Sequence, residues 1–182
     1  MPCRAPLATA AAIIAGLALI ALASTWAWSL TGRDPPPPMP YTAPVTACVL
    51  AASLYAVVES VRLLGGPGPF FCGGRMVVLD LLGLARAEPP GEIVEEGPYS
   101  VSRHPVYSAT LAAYAGLALT LPQLAPGIVL VAAWVWLAAV LEERILSRSR
   151  EYGGYKSRVP GLAPLRVTLW SCGRLLARLV NR

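Results

Sequence analysis

The sequence predicts an all-α fold, an integral membrane helical bundle of about four transmembrane helices with interfacial helices beside them. Three observations carry that expectation. Hydrophobic residues fill 55% of the 182 positions and charged ones only 14%, a balance that belongs to lipid-embedded chains. Apolar runs of spanning length recur between proline- and glycine-rich breaks, where a helix cannot continue. Basic residues cluster on alternate breaks, as crossing segments require.

The first span is Ala5–Leu30. Ala21-Leu22-Ala23 within it resembles a signal-peptidase site, yet the apolar run continues through Trp26 and Trp28, so it reads as a retained first helix. TGRDPPPPMP ends it, because four consecutive prolines give a short stiff loop. The second span covers Thr42–Leu64 and is expected to break at GGPGPFFCGG. Met76–Ala87, MVVLDLLGLARA, is apolar but too short to cross, and reads as a half-embedded or interfacial helix. A third span starts at Pro105 and ends near Leu121. Pro122 and Pro126 bracket a tight turn, and the fourth span, Gly127 to about Leu141, continues as a polar helix through Glu142, Glu143 and Arg144. So close a turn makes the last two spans an antiparallel hairpin. The terminal stretch LRVTLWSCGRLLARLVNR sets Arg166, Arg174, Arg178 and Arg182 among Leu and Val at helical spacing, an amphipathic helix on the inner leaflet.

Charge orients the bundle. Of fifteen Lys and Arg, four lie from Arg62 to Arg103, nine lie from Arg144 onward, Arg4 precedes the first span, and only Arg33 sits in the proline loop. The positive-inside rule then places both termini and the Arg62–Arg103 segment in the cytosol. The net charge of +5 reads as topology and contact with anionic lipid; no aromatic-basic interleaving or zinc spacing points to nucleic acid. Cys3, Cys48, Cys72 and Cys172 stand singly, so neither a disulfide framework nor a metal site is expected.

This topology brings two polar stretches to one membrane face. GPYSVSRHPVY, Gly97–Tyr107, enters the third span and holds the chain's one histidine; Glu142–Tyr155 leaves the fourth. Pro105 suits a helix's first turn, and the free N–H groups after it can receive an anion. Gly97 and Pro98 bend the approach so that Tyr99 returns over the site. Glu142 and Glu143 can receive ammonium or hydroxyl groups. A zwitterionic ligand with a sugar fits such a pair of surfaces. The plainer readings are a capping histidine and a solvated glutamate face paired to Arg144 and Arg148. Glu59 in the second span either pairs locally with Arg62 or lines a substrate path.

The order GPY, RHPVY, EERIL, YGGY and RVPGLAPL resembles the integral-membrane methyltransferases of the isoprenylcysteine carboxyl methyltransferase type, relatives of the phospholipid N-methyltransferases, over roughly 91–165. The resemblance implies S-adenosyl-L-methionine in a small cytosolic cofactor pocket. It places Tyr99, His104, Pro105, Val106 and Tyr107 on the cofactor, with Gly91, Glu92, Ile93 and Val94 lining it. Glu142 matches the acid that holds the cofactor, Glu143 lies beside it, and Tyr152 and Tyr155 belong to the cover. It divides the chain into 1–64, an N-terminal transmembrane helix pair, and 65–182, the cofactor-binding half. The expected reaction is methyl transfer to a lipid or lipid-modified acceptor, either a carboxylate, as in isoprenylcysteine, or an amine head group. An ionised carboxylate needs no base; an amine must lose a proton, and His104 is the candidate catalytic group.

The chain departs from the family pattern in three places. The glutamates lie about two residues nearer to Tyr152 and lack the usual FG pair, Ala109 stands where a glycine is common, and Ala138 stands where the prenylcysteine branch carries an arginine. Sterol reductases share RHPxY and a tyrosine-rich tail but use NADPH, tend to have Asn at the place of Val106, and lack the paired glutamates. A non-catalytic membrane scaffold is the third reading.

Overall fold

A computed structural model describes residues 6–34, 37–38, 40–84, 86–87 and 92–181. Among these, seven α-helices follow one another: α1 Pro6–Ser29, α2 Ala43–Leu63, α3 Pro67–Leu81, α4 Pro105–Thr120, α5 Ala125–Leu146, α6 Tyr152–Arg158 and α7 Pro164–Val180. The described residues contain no strand. Among the described residues, three stretches are long and apolar enough to cross a membrane: Ala11–Ser29, Ala43–Leu63 and Pro122–Leu146. The fourth expected crossing falls on α4, whose 16 residues extend about 24 Å at the α-helical rise.

α4 is the central helix, packed by α2 and α7 on one side and by α5 on the other, with α1 outside α5. Two cores result. Ala56, Ala109 and Val167 join α2, α4 and α7; Tyr114, Val131 and Val135 join α4 and α5, with Leu17 and Ile20 of α1 against them. Small residues let α2 approach α4 closely, as packing in lipid favours. Thr46 Oγ1 donates to the Gly116 carbonyl at 2.8 Å, and a Cβ on Gly116 would stand 3.1 Å from Val49 Cγ1. Large apolar side chains instead face outward, among them Ile14, Leu22, Leu54, Val129 and Trp136. On a water-soluble surface such a patch would be a liability; around spanning helices it is the lipid-facing belt.

Gly127 is where α1, α4 and α5 converge. A Cβ there would overlap the Tyr114 hydroxyl and Ser24 Oγ, which lie 3.1 Å apart in a buried hydrogen bond. Gly127→Ala should therefore displace Tyr114 and destabilise by about 1–3 kcal/mol, seen as a lower thermal midpoint in detergent. Adding Tyr114→Phe should recover part of that loss.

Two expectations need revision. The Gly/Pro-rich stretch after α2 is not a break over its length: the interruption is confined to Leu64–Gly66, and α3 starts at Pro67. Gly65 and Gly66 take positive φ and close α2, the Gly66 N–H donating to the Val61 carbonyl at 2.9 Å. Pro67 and Pro69 then fall in the first turn of α3, where their missing N–H groups leave no bond unmade. The expected helix over Met76–Ala87 correspondingly starts nine residues earlier and stops at Leu81, with Ala85 outside the described residues. The terminal helix is amphipathic as expected, but its leucine face, Leu165, Leu169, Leu176 and Leu179, is exposed while Val167 and Ser171 pack inward. Of the proline loop, residues 35, 36 and 39 lie outside the described residues, as does Arg4.

Candidate functional site

The turn before α4 is built by backbone chemistry. Gly97 has φ +58°, and a Cβ on it would meet Leu63 Cδ1 at 2.7 Å, so glycine is needed both for conformation and for contact with the end of α2. A short 3₁₀ turn, Gly97–Ser100, follows. The chain then runs beside Pro160 and Gly161, whose carbonyls accept from the Arg103 and His104 N–H groups at 2.9 and 3.3 Å. Ser102 Oγ donates to the same Gly161 carbonyl at 2.7 Å and lies 3.1 Å from Ser108 Oγ. Ser108 Oγ in turn accepts the Ala163 N–H at 3.0 Å. Two buried serines thus fasten the RVPGLAP segment onto the start of α4.

The hairpin brings the entrance of α4 to the exit of α5. His104 Nδ1 lies 3.1 Å from Glu142 Oε2, and Nε2 lies 3.3 Å from Glu143 Oε1. The imidazole side chain is 1% exposed. Tyr107 stacks on it with ring centroids 5.6 Å apart. A neutral imidazole donates from one nitrogen only, so the tautomer decides which of the two acids the ring serves.

The two glutamates have different surroundings. Glu143 is committed: Arg103 Nη2 reaches it at 2.6 Å and Lys156 Nζ at 2.9 Å. Arg103 also donates from Nη1 to the Lys156 and Val159 carbonyls at 2.9 and 2.5 Å, tying the end of α6 to α5. Glu142 meets His104 Nδ1 and the Tyr107 hydroxyl, and its side chain is 37% exposed. It is the open acid of the pair.

Tyr152 and Tyr155 of α6 are buried over this cluster. The Tyr155 hydroxyl donates to the Tyr99 carbonyl at 2.7 Å. Burial, then the Glu143 charge, pushes the Tyr152 phenol up to about 12. Burial, then the Glu142 charge, raises Tyr99 well beyond the ordinary phenol range; burial, then Tyr152, does the same for Tyr155. All three stay neutral O–H donors at physiological pH. The Tyr152 hydroxyl is buried beside the Arg103 guanidinium, short of a well-formed hydrogen bond.

The structure gathers Tyr99, His104, Pro105, Val106, Tyr107, Glu142 and Glu143 at one end of the bundle. Glu92, Ile93 and Val94 precede them in the chain. Those residues form an irregular approach in which Glu92 is exposed and Ile93 and Val94 are half-buried. Their tether is Glu95, paired with Arg158 of α6 at 2.9 Å. Gly91 lies outside the described residues. Glu59 pairs with Arg62 at 2.6 Å, the local reading, and it also lines a groove between α2 and α7. Sequence reasoning passed over Arg103, Ser102 and Ser108. Arg103 could have been singled out, since a cation beside the one histidine and opposite two acids needs a partner; the serines carry no such signal.

The donor set fits a cationic, ribose-bearing cofactor on two counts. Glu142 offers an exposed carboxylate for a positive centre, and the Tyr152 hydroxyl offers a buried donor or acceptor. The first turn of α4 adds N–H groups that helix geometry leaves free. Among comparisons with known proteins, a family model described as phospholipid methyltransferase matches residues 45–153, more than half of the chain, from α2 into the start of α6. No curated protein and no solved structure matches.

Proposed function

Because the chain belongs to the phospholipid methyltransferase family, we propose that it transfers the methyl group of S-adenosyl-L-methionine to a lipid-like acceptor presented from the bilayer. The family and the three helices of spanning character make it an integral membrane protein. The observation that carries the proposal is the 3.1 Å contact of His104 Nδ1 with Glu142 Oε2, which sets an open carboxylate beside the N-terminus of α4.

The cofactor, when bound, supplies a methyl group already activated as a sulfonium. The chain's part is to bind, orient and exclude water. Glu142 faces the positive charge, and His104 holds Glu142 in place. The N–H groups of Val106 and Tyr107 face an anionic group, while Tyr99 and Tyr152 supply neutral hydroxyls. Tyr152 and Tyr155 shut the cluster from solvent. With both ring nitrogens facing acids, His104 serves as a positioning residue rather than a free base. An amine acceptor attacks through its lone pair and releases its proton, for which Glu142, reaching the surface, is the nearest open acceptor. Ala138, where the prenylcysteine branch carries arginine, favours an amine head group over a prenylcysteine carboxylate. The basic residues at this end support a cytosolic site.

Calorimetric titration of purified protein with S-adenosyl-L-methionine and with NADPH tests the cofactor. Heat from the first and none from the second is expected, and binding of NADPH alone would replace the methyltransferase reading by a reductase one. Label from the methyl donor should appear in the phospholipid fraction of reconstituted membranes; label in no lipid would overturn the acceptor assignment.

A further inference from the structure

An open space lies away from His104. It is a groove of about 700 Å³ between α2 and α7, lined by Tyr55, Glu59, Arg62, Trp170, Arg174 and Arg178. We infer that this groove binds the head group of an anionic phospholipid, separately from the methyl-transfer site and independently of the reaction.

Its cations are arranged for an oxyanion. Arg174 Cζ stands 5.7 Å from the centre of the Trp170 ring, and Arg178 Cζ stands 5.0 Å from that of Tyr55. The two rings are 5.9 Å apart, so they form one aromatic floor under both guanidinium groups. Cation–π contact holds both guanidinium groups at this floor, and a planar guanidinium fork suits phosphate better than a mobile ammonium would. Neither Arg174 nor Arg178 has a carboxylate within ion-pair distance among the described residues. Glu59 already pairs with Arg62, whose side chain is 67% exposed. Glu96 is the second acid of the lining. Three guanidinium groups against two carboxylates leave the groove net positive.

Depth selects a lipid over a soluble phosphate. Arg62 lies in the last turn of α2, a helix of spanning length, which sets the groove at the level of the head groups. Tyr55 and Trp170 are the residue types that favour that level. Beyond the groove α7 turns Leu165, Leu169, Leu176 and Leu179 outward, each more than 60% exposed, a face that needs acyl chains beside it. Arginines inward toward α2 and leucines outward place a lipid phosphate in the groove with its chains along α7.

The test is native mass spectrometry of delipidated full-length protein in an uncharged detergent, titrated with phosphatidylglycerol or with phosphatidylcholine of the same chains. Phosphatidylglycerol should bind about tenfold tighter or more, given roughly 1 kcal/mol per arginine near a lipid surface. Arg174→Gln with Arg178→Gln should remove most of that preference. Arg166→Gln, exposed and outside the groove, should keep it. Millimolar inorganic phosphate should not displace the lipid. Equal affinity for the two lipids in the wild-type protein overturns the inference even if the double variant fails to fold. So does a preference that survives the double substitution, or displacement by inorganic phosphate.

Discussion

Replacing Arg103 with alanine is expected to destabilise the protein by about 3 kcal/mol and to abolish methyl transfer. One guanidinium joins three elements: Glu143 of α5 through Nε and Nη2, and the Lys156 and Val159 carbonyls at the end of α6 through Nη1. The ion pair is largely shielded, with the Arg103 side chain 11% and that of Glu143 19% exposed, so losing the cation leaves a carboxylate that water only partly solvates. Lys156 still reaches Glu143, which keeps the loss at the lower end of the range for broken buried pairs. α6 loses two of its fastenings, and with them the cover that carries Tyr152 and Tyr155. Arg103→Lys keeps the charge but not the fork, and should recover stability only in part. Unfolding in detergent reads the first effect and initial rates read the second. If the pair carries the loss, Arg103→Ala combined with Glu143→Gln will fall short of the sum of the single changes.

Those fastenings also show where sequence reasoning reached and where it stopped. The meeting of GPYSVSRHPVY with EER followed from the tight Pro122–Pro126 turn, because a short connection leaves antiparallel helices and puts the start of α4 beside the end of α5. The division of labour between the two acids was not legible. Glu142 and Glu143 are adjacent in sequence, and only the positions of Arg103 and Lys156 commit one of them and leave the other open. The helical Pro67–Leu81 was hidden because proline and glycine read as breakers unless the register of the first turn is known. α7 illustrates a further limit. Its arginine spacing marks an amphipathic helix, but a helical wheel does not tell that the arginines face α2 and the leucines face outward. Ser102 and Ser108 act through carbonyls and N–H groups from residues more than fifty positions away, which no local pattern reveals.

Glu142→Gln is the second large effect, and paired with His104→Ala it tests whether the histidine acts through that carboxylate. The substitution keeps size and removes the charge that faces the cofactor's positive centre. Hydrogen bonds to charged groups contribute about 1.5–3 kcal/mol, so the dissociation constant for S-adenosyl-L-methionine should rise about 10- to 100-fold, measured by calorimetry. His104→Ala should weaken binding in the same direction, since it frees Glu142 from its 3.1 Å partner. Because His104 acts through that carboxylate, the double variant should bind little worse than Glu142→Gln alone. A free general base would behave otherwise: His104→Ala would then lower kcat, leave cofactor affinity unchanged and erase one limb of the pH–rate profile. The buried ring stands with both nitrogens facing acids, so the change should fall on cofactor binding and the pH–rate profile should keep its shape.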